Sequence, residues 1–113
     1  MARVGLVRVN GVDAARLIEL ERGKSYRLEY IPSYAGPPIS LALPVNERIF
    51  EFDGFIPFFD GTLPEGYQLD ALLRRTKLDR KDHMGQLLEV GRDLVGNVTV
   101  EPLNDEGTGD TDV

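Results

Sequence analysis

The chain has no cysteine among its 113 residues. Disulfide frameworks, cysteine-ligated zinc and thiol nucleophiles are therefore excluded together, and a reducing compartment suits the composition. Long apolar runs are missing too. Charges break up the opening Met-Ala-Arg-Val-Gly-Leu-Val-Arg-Val, and nothing approaches the ~20 apolar residues of a membrane-spanning helix. Basic residues are in short supply, with 13 Lys and Arg against 19 Asp and Glu, giving a net charge of −6 and a pI near 4.7. Holding nucleic-acid phosphates or an anionic membrane needs a basic surplus, so neither is an expected partner of the chain alone. A soluble, cytoplasmic protein is the expectation.

What remains is an ordinary globular composition, 42% hydrophobic and 28% charged. A chain of this length fits one domain able to bury about two thirds of its unfolded surface. Residues 4–9 and 12–20 flank Asn10-Gly11, the pair that a two-residue hairpin turn demands. After Arg22-Gly23, Ser25 to Tyr30 alternates with period two, which places Tyr26, Leu28 and Tyr30 on one buried face. Pro32, Gly36, Pro37 and Pro38 mark a loop, followed by a short strand predicted from Ile39 to Leu43 and ended by Pro44. All five Phe lie between Ile49 and Gly61, and most are expected in the core.

The period then changes. Leu69, Leu72 and Leu73 predict a helix starting near Pro64, with Arg74, Arg75 and Lys77 at its C-terminal end, where the helix dipole favours cations. A second helix is predicted from Arg80 to Val90, capped by Asp79 and ended at Gly91, and a closing strand from Leu94 to Val100. Strands, then helices, then one strand make an α+β domain: a small antiparallel sheet or partial barrel with two to three short helices. Residues 1–102 form the expected domain. Residues 103–113 carry four acidic and no basic residues and read as a flexible tail, so the acidity is concentrated there and the domain holds fifteen acidic against thirteen basic residues.

Catalytic motifs are scarce. The sequence has no Gly-rich phosphate loop, no histidine pair at metal spacing and no Gly-x-Ser-x-Gly elbow, so no catalytic residue, cofactor or metal ligand is assigned. The single histidine, His83, reads as a solvated residue at a helix start, with general-base chemistry as the alternative. Asp53, Asp60 and Glu65 could be offered as an acid–base pair, but carboxylates beside Gly and Pro are common turn and cap residues. The basic run Arg74, Arg75, Lys77, Arg80, Lys81 reads as a solvated helix end or a surface for an acidic partner. Arg92 and Asp93 read as a turn pair. The segment from Phe58 to Tyr67 differs in kind, joining two aromatics to a turn, a helix start and an exposed Tyr.

The run Phe59-Asp60-Gly61-Thr62-Leu63-Pro64-Glu65-Gly66, with Ser40 to Pro44 before it and Leu87 to Val98 after it, resembles the N-terminal domain of HipA-type serine/threonine kinase toxins. The resemblance covers about residues 4–102, and three separated motifs recur in one order. In full-length members this domain precedes a kinase core carrying the ATP-binding loop and catalytic aspartates, which this sequence does not contain. The chain is therefore similar to HipS, the separate small subunit of split three-gene systems in which HipT is the kinase and HipB the DNA-binding protein. That resemblance implies a non-enzymatic antitoxin that binds a HipT-like kinase, with a HipB-like protein in the same complex. It also implies that Tyr67, standing where the small-subunit pattern usually has Trp, reaches the kinase cleft. The expected partner-binding residues are Phe59, Asp60, Leu63, Pro64, Glu65, Gly66 and Tyr67, with Phe58 alongside. A detached docking domain of a HipA-type kinase is the alternative reading, and a small enzyme using Asp53, Asp60 or His83 is the remote one.

Overall fold

The computed structural model describes residues 2–94 and 96–103. Strand β1 (Val4–Val9) turns through Asn10 and Gly11, both at positive φ, into the long β2 (Val12–Glu21), as the turn pair predicts. Strand β3 (Ser25–Tyr30) pairs with β2 and with β4 (Ile49–Asp53), while β5 (Val98–Leu103) pairs with the free side of β1. The result is one antiparallel sheet in the order β4-β3-β2-β1-β5, an α+β fold with its helices on one face. Between Val7 and Arg8 the register slips, which leaves Ala14 as an extra, fully buried residue of β2.

The two faces of the sheet divide by chemistry. Inward point Val7, Val9, Leu17, Tyr26, Leu28, Tyr30 and Val100, all in the core. Outward, cross-strand neighbours pair opposite charges, including Arg8 with Asp13 and Glu101, Arg27 with Glu51 and Arg16 with Glu29, at 2.6–3.4 Å. These are solvated pairs that each contribute little, but together they keep the outer face free of a single-sign field.

Several boundaries differ from the sequence reading. Ile39 to Leu43 is not a strand. Ile39 and Leu43 are buried, but the Tyr30 hydroxyl holds the segment as a loop by accepting from Ile39 N at 2.9 Å and donating to the Leu43 carbonyl at 2.5 Å. A short helix, α1 (Pro57–Asp60), was not expected; Pro57 opens it and it buries Phe59. Helix α2 is Gly66–Thr76, so Pro64 lies before it, and helix α3 is His83–Val90, capped by Asp82 rather than Asp79. The Asp82 carboxylate accepts from Gly85 N at 3.0 Å, whereas Asp79 serves the preceding turn by accepting from Lys81 N at 2.7 Å. Helix α3 does end at Val90 with Gly91 as its C-cap, as expected, in right-handed geometry. The chain continues as a 3₁₀ turn over Gly91–Asp93, and glycine is needed there because a Cβ would lie 2.2 Å from the Val100 carbonyl oxygen. Within that turn Arg92 approaches Glu101 at 4.0 Å, not Asp93. The closing strand begins at Val98 and includes Leu103, one residue into the stretch assigned to the tail; residues 104–113 lie outside the described residues. All five Phe meet the core, with only Phe59 fully buried.

A buried ionic clamp ties these elements together. Arg3 donates to both oxygens of Glu19 at 2.7 and 2.9 Å and to both oxygens of Asp82 at 3.0 and 2.8 Å. The Glu19 side chain is only 3% exposed, yet it also accepts from Gly23 N at 3.0 Å. The hydrogen bonds from Arg3 hold the Asp82 carboxyl below its ordinary value, against the opposing effect of burial. Folding thus favours the ionised carboxylate. Its contribution is complete above the unfolded value near 3.8 and fades as pH falls through the lower folded value. Arg3→Met is expected to cost about 3 kcal/mol, since Glu19 stays buried without its cation. Urea unfolding as a function of pH checks this: the gap to the parent should shrink below about pH 4, and an undiminished gap would contradict the assignment.

Candidate functional site

The segment from Phe58 to Tyr67 forms a corner between α1 and α2. Phe59 is fully buried and meets Phe58 edge-on, with ring centroids 5.2 Å apart. The turn after it is closed by Thr62, whose Oγ1 donates to the Phe59 carbonyl at 2.6 Å while its backbone N–H donates to the same oxygen at 3.0 Å. Leu63 N donates to the Asp60 carbonyl at 3.2 Å, and the Leu63 side chain returns to the core. Two buried side chains four residues apart therefore anchor the corner. Pro64, with its fixed φ, stiffens the link to α2.

Helix α2 starts without a side-chain cap. Glu65 is its N-cap in extended geometry, and Gly66 enters the helix at φ +58, a conformation glycine adopts without the Cβ clash that other residues suffer. Tyr67 is thereby aimed outward at 93% exposure, the other three Tyr being buried. Helix α2 buries Leu72 alone among its eleven residues, with Leu69 and Leu73 half-covered, so it stands largely in solvent. Its last turn carries Arg74 and Arg75, and Lys77 closes it in left-handed geometry. Arg75 pairs with Glu89 at 3.6 Å and Arg80 with Asp70 at 2.7 Å, so part of the basic run is already neutralised.

The seven residues singled out in the sequence are brought together, but they divide into two groups. Phe59 and Leu63 are buried and act as anchors, leaving Asp60, Glu65, Gly66, Tyr67 and the half-covered Pro64 as the accessible surface. Phe58 is half-buried against the core. Grooves flank the corner on both sides. One of about 430 Å³ runs between Leu63-Pro64-Glu65 and the end of α3, and one of about 220 Å³ lies towards Arg80, His83 and Gln86.

The candidate acid–base residues are brought together only in part. Asp53 lies on edge strand β4, opposite Ser25. Asp60 and His83 share the smaller groove with Glu65, but the imidazole is half-buried, 5.6 Å from the Phe55 ring, rather than freely solvated as expected. Among the described residues, no group of three or more His, Asp or Glu could hold a metal ion. Sequence reasoning missed Gln86. Its side chain is 2% exposed, and its Nε2 donates to the carbonyls of Asp79 and Arg80 at 3.3 and 2.9 Å, fixing the loop between α2 and α3. An apolar helix stripe gives no sign that one polar member is buried.

These placements give a stability test. Tyr67→Ala is expected to leave the melting temperature unchanged, whereas Gly66→Ala is expected to cost about 1 kcal/mol from the forced left-handed residue. Thermal denaturation of the two variants side by side checks both.

Comparison with known proteins covers most of the described residues. The family model for the HipA N-terminal domain matches residues 5–101. A solved structure described as the N-terminal domain of HipA toxin superposes with a TM-score of 0.74 at 27% identity, covering 94% of this chain and 97% of that one. An uncharacterized protein of Haemophilus influenzae is 30% identical over 101 residues, covering 89% of this chain and 93% of its own length.

Proposed function

The chain belongs to the HipA N-terminal domain family, which is linked to toxin–antitoxin systems, and from that premise we propose that it is a non-enzymatic antitoxin subunit that binds and neutralises a HipA- or HipT-type serine/threonine kinase. One observation carries the reading: Tyr67 projects almost fully exposed from a corner pinned by Phe59, Leu63 and Pro64. An aromatic already fixed at the start of a helix loses little freedom on entering a cleft. A large exposed ring with no partner among the described residues is the kind of residue that dominates an interface. Blocking a nucleotide or substrate cleft asks for shape and position, not for catalytic groups on the blocker. The surface contacting the kinase is that of Asp60, Pro64, Glu65, Gly66 and Tyr67, with Phe59 and Leu63 holding it in place.

The small subunit acts in the cytoplasm, and a HipB-like DNA-binding protein supplies the basic surface of the complex that this acidic chain lacks. A second reading is supported by the likeness to a domain of the toxin itself: the chain docks on a kinase without inhibiting it. Phosphoryl transfer by a purified HipA-type kinase lacking this domain, measured with rising amounts of the chain, separates the two. Neutralisation predicts saturable inhibition, weakened about thirtyfold by Tyr67→Ala as for a hot-spot aromatic. Binding without inhibition selects the docking reading, and absence of binding rejects both.

A further inference from the structure

The groove of about 430 Å³ beside the Tyr67 corner has a composition that specifies an occupant. Leu63 and Pro64 from the corner and Val90 and Leu94 from the end of α3 supply its apolar lining, alongside Thr62 and Gln68. Its rim carries two carboxylates, Glu65 from the N-cap of α2 and Asp93 from the 3₁₀ turn after α3. Both are exposed, and neither makes a side-chain hydrogen bond or ion pair among the described residues. In this they differ from the outer sheet face, where Asp13, Glu29, Glu51 and Glu101 are paired with arginines across strands, and they differ from most other acids in sharing one groove. No Lys or Arg lines the groove. The nearby Arg92 is directed to Glu101, and Arg80, in the groove on the other side of the corner, is taken by Asp70.

We propose that this groove receives an arginine side chain of the partner protein, its methylene stem lying on Leu63, Pro64, Val90 and Leu94 and its guanidinium meeting Glu65 and Asp93. Arginine suits the site better than lysine, because its planar fork can address two carboxylates while its weakly hydrated face rests on apolar walls. Glu65 and Pro64 belong both to this groove and to the corner bearing Tyr67, so the arginine contact would be continuous with the aromatic one. The inference deepens the kinase-binding reading and rests on it for the identity of the partner, though not for the chemistry of the groove.

Two measurements test it separately. The first titrates the ¹⁵N-labelled chain with Nα-acetyl-arginine methylamide, using the lysine and citrulline counterparts as comparators. Saturable millimolar shifts at Thr62, Gln68 and Asp93, weaker for lysine, absent for citrulline and lost in the Glu65→Gln, Asp93→Asn variant, are expected. Equal shifts with citrulline, or shifts spread over the outer sheet face, would overturn the proposal. The second compares binding of a HipA-type kinase by that double variant and by Tyr67→Ala. The double variant should bind about three- to tenfold more weakly, and the difference should shrink at high salt. Weakening by Tyr67→Ala alone refutes the groove and leaves the antitoxin reading standing. If the kinase binds neither the parent nor the variants, the antitoxin reading fails, and the arginine titration alone decides the groove. Self-association of the chain that is abolished by the double variant would assign the groove to a second copy and likewise refute the proposal.

Discussion

Arg3 makes four hydrogen bonds to two carboxylates that are sixty-three residues apart in sequence, and the placement of α3 beside the Phe58 to Tyr67 corner depends on this contact. Glu19 comes from the end of β2 and Asp82 from the N-cap of α3, so one guanidinium joins the start of β1 to both the sheet and the helix laid across it. A buried carboxylate is tolerable only when its charge is matched and its lone pairs are used. Glu19 meets both conditions through Arg3 and Gly23 N. The opposite end of α3 is fixed by close packing instead, with Gly91 set against the Val100 carbonyl where no side chain fits. Pinned at both ends, α3 presents Val90 as one wall of the groove beside Leu63 and, through Gln86, orders the loop between α2 and itself.

The rest of the surface is quiet by comparison. Charges on the outer sheet face are paired across strands, which leaves no field to steer a single-sign partner there. The corner adds an exposed ring on Tyr67 and, at the groove beside it, carboxylates on Glu65 and Asp93 that have no side-chain partner among the described residues. Helix α2, with a single buried residue, extends that surface without adding much to the core. Tyr67 is the exposed aromatic of the described residues, while Leu41 and Ile49 are exposed elsewhere, so it is the ring and its rigid setting that single the corner out.

Much of this was legible in the residues. Asn10-Gly11 announced the first hairpin, the alternation of Tyr26, Leu28 and Tyr30 announced strand β3 and its buried face, and the Leu-Pro-Glu-Gly-Tyr run pointed to the corner. What was hidden depends on tertiary contacts. Ile39 to Leu43 has the alternation of a strand, but the Tyr30 hydroxyl captures its backbone and the segment joins no ladder of the sheet. Asp79 was the expected cap, but it closes the preceding turn, and Asp82, which Arg3 also holds, caps α3 instead. The division of the corner into anchors and contacts was equally hidden, because Phe59 and Tyr67 are both aromatic and only packing separates them.

The proposed entry of Tyr67 into the kinase is tested most directly by fluorine NMR. The chain has four Tyr, three of them buried, so 3-fluorotyrosine labelling gives one exposed fluorine resonance against three protected ones. Adding a HipA-type kinase is expected to shift the Tyr67 resonance and abolish its solvent isotope effect, while the resonances of Tyr26, Tyr30 and Tyr34 stay in place. A kinase complex in which the Tyr67 resonance keeps its free position and its solvent sensitivity would contradict that role.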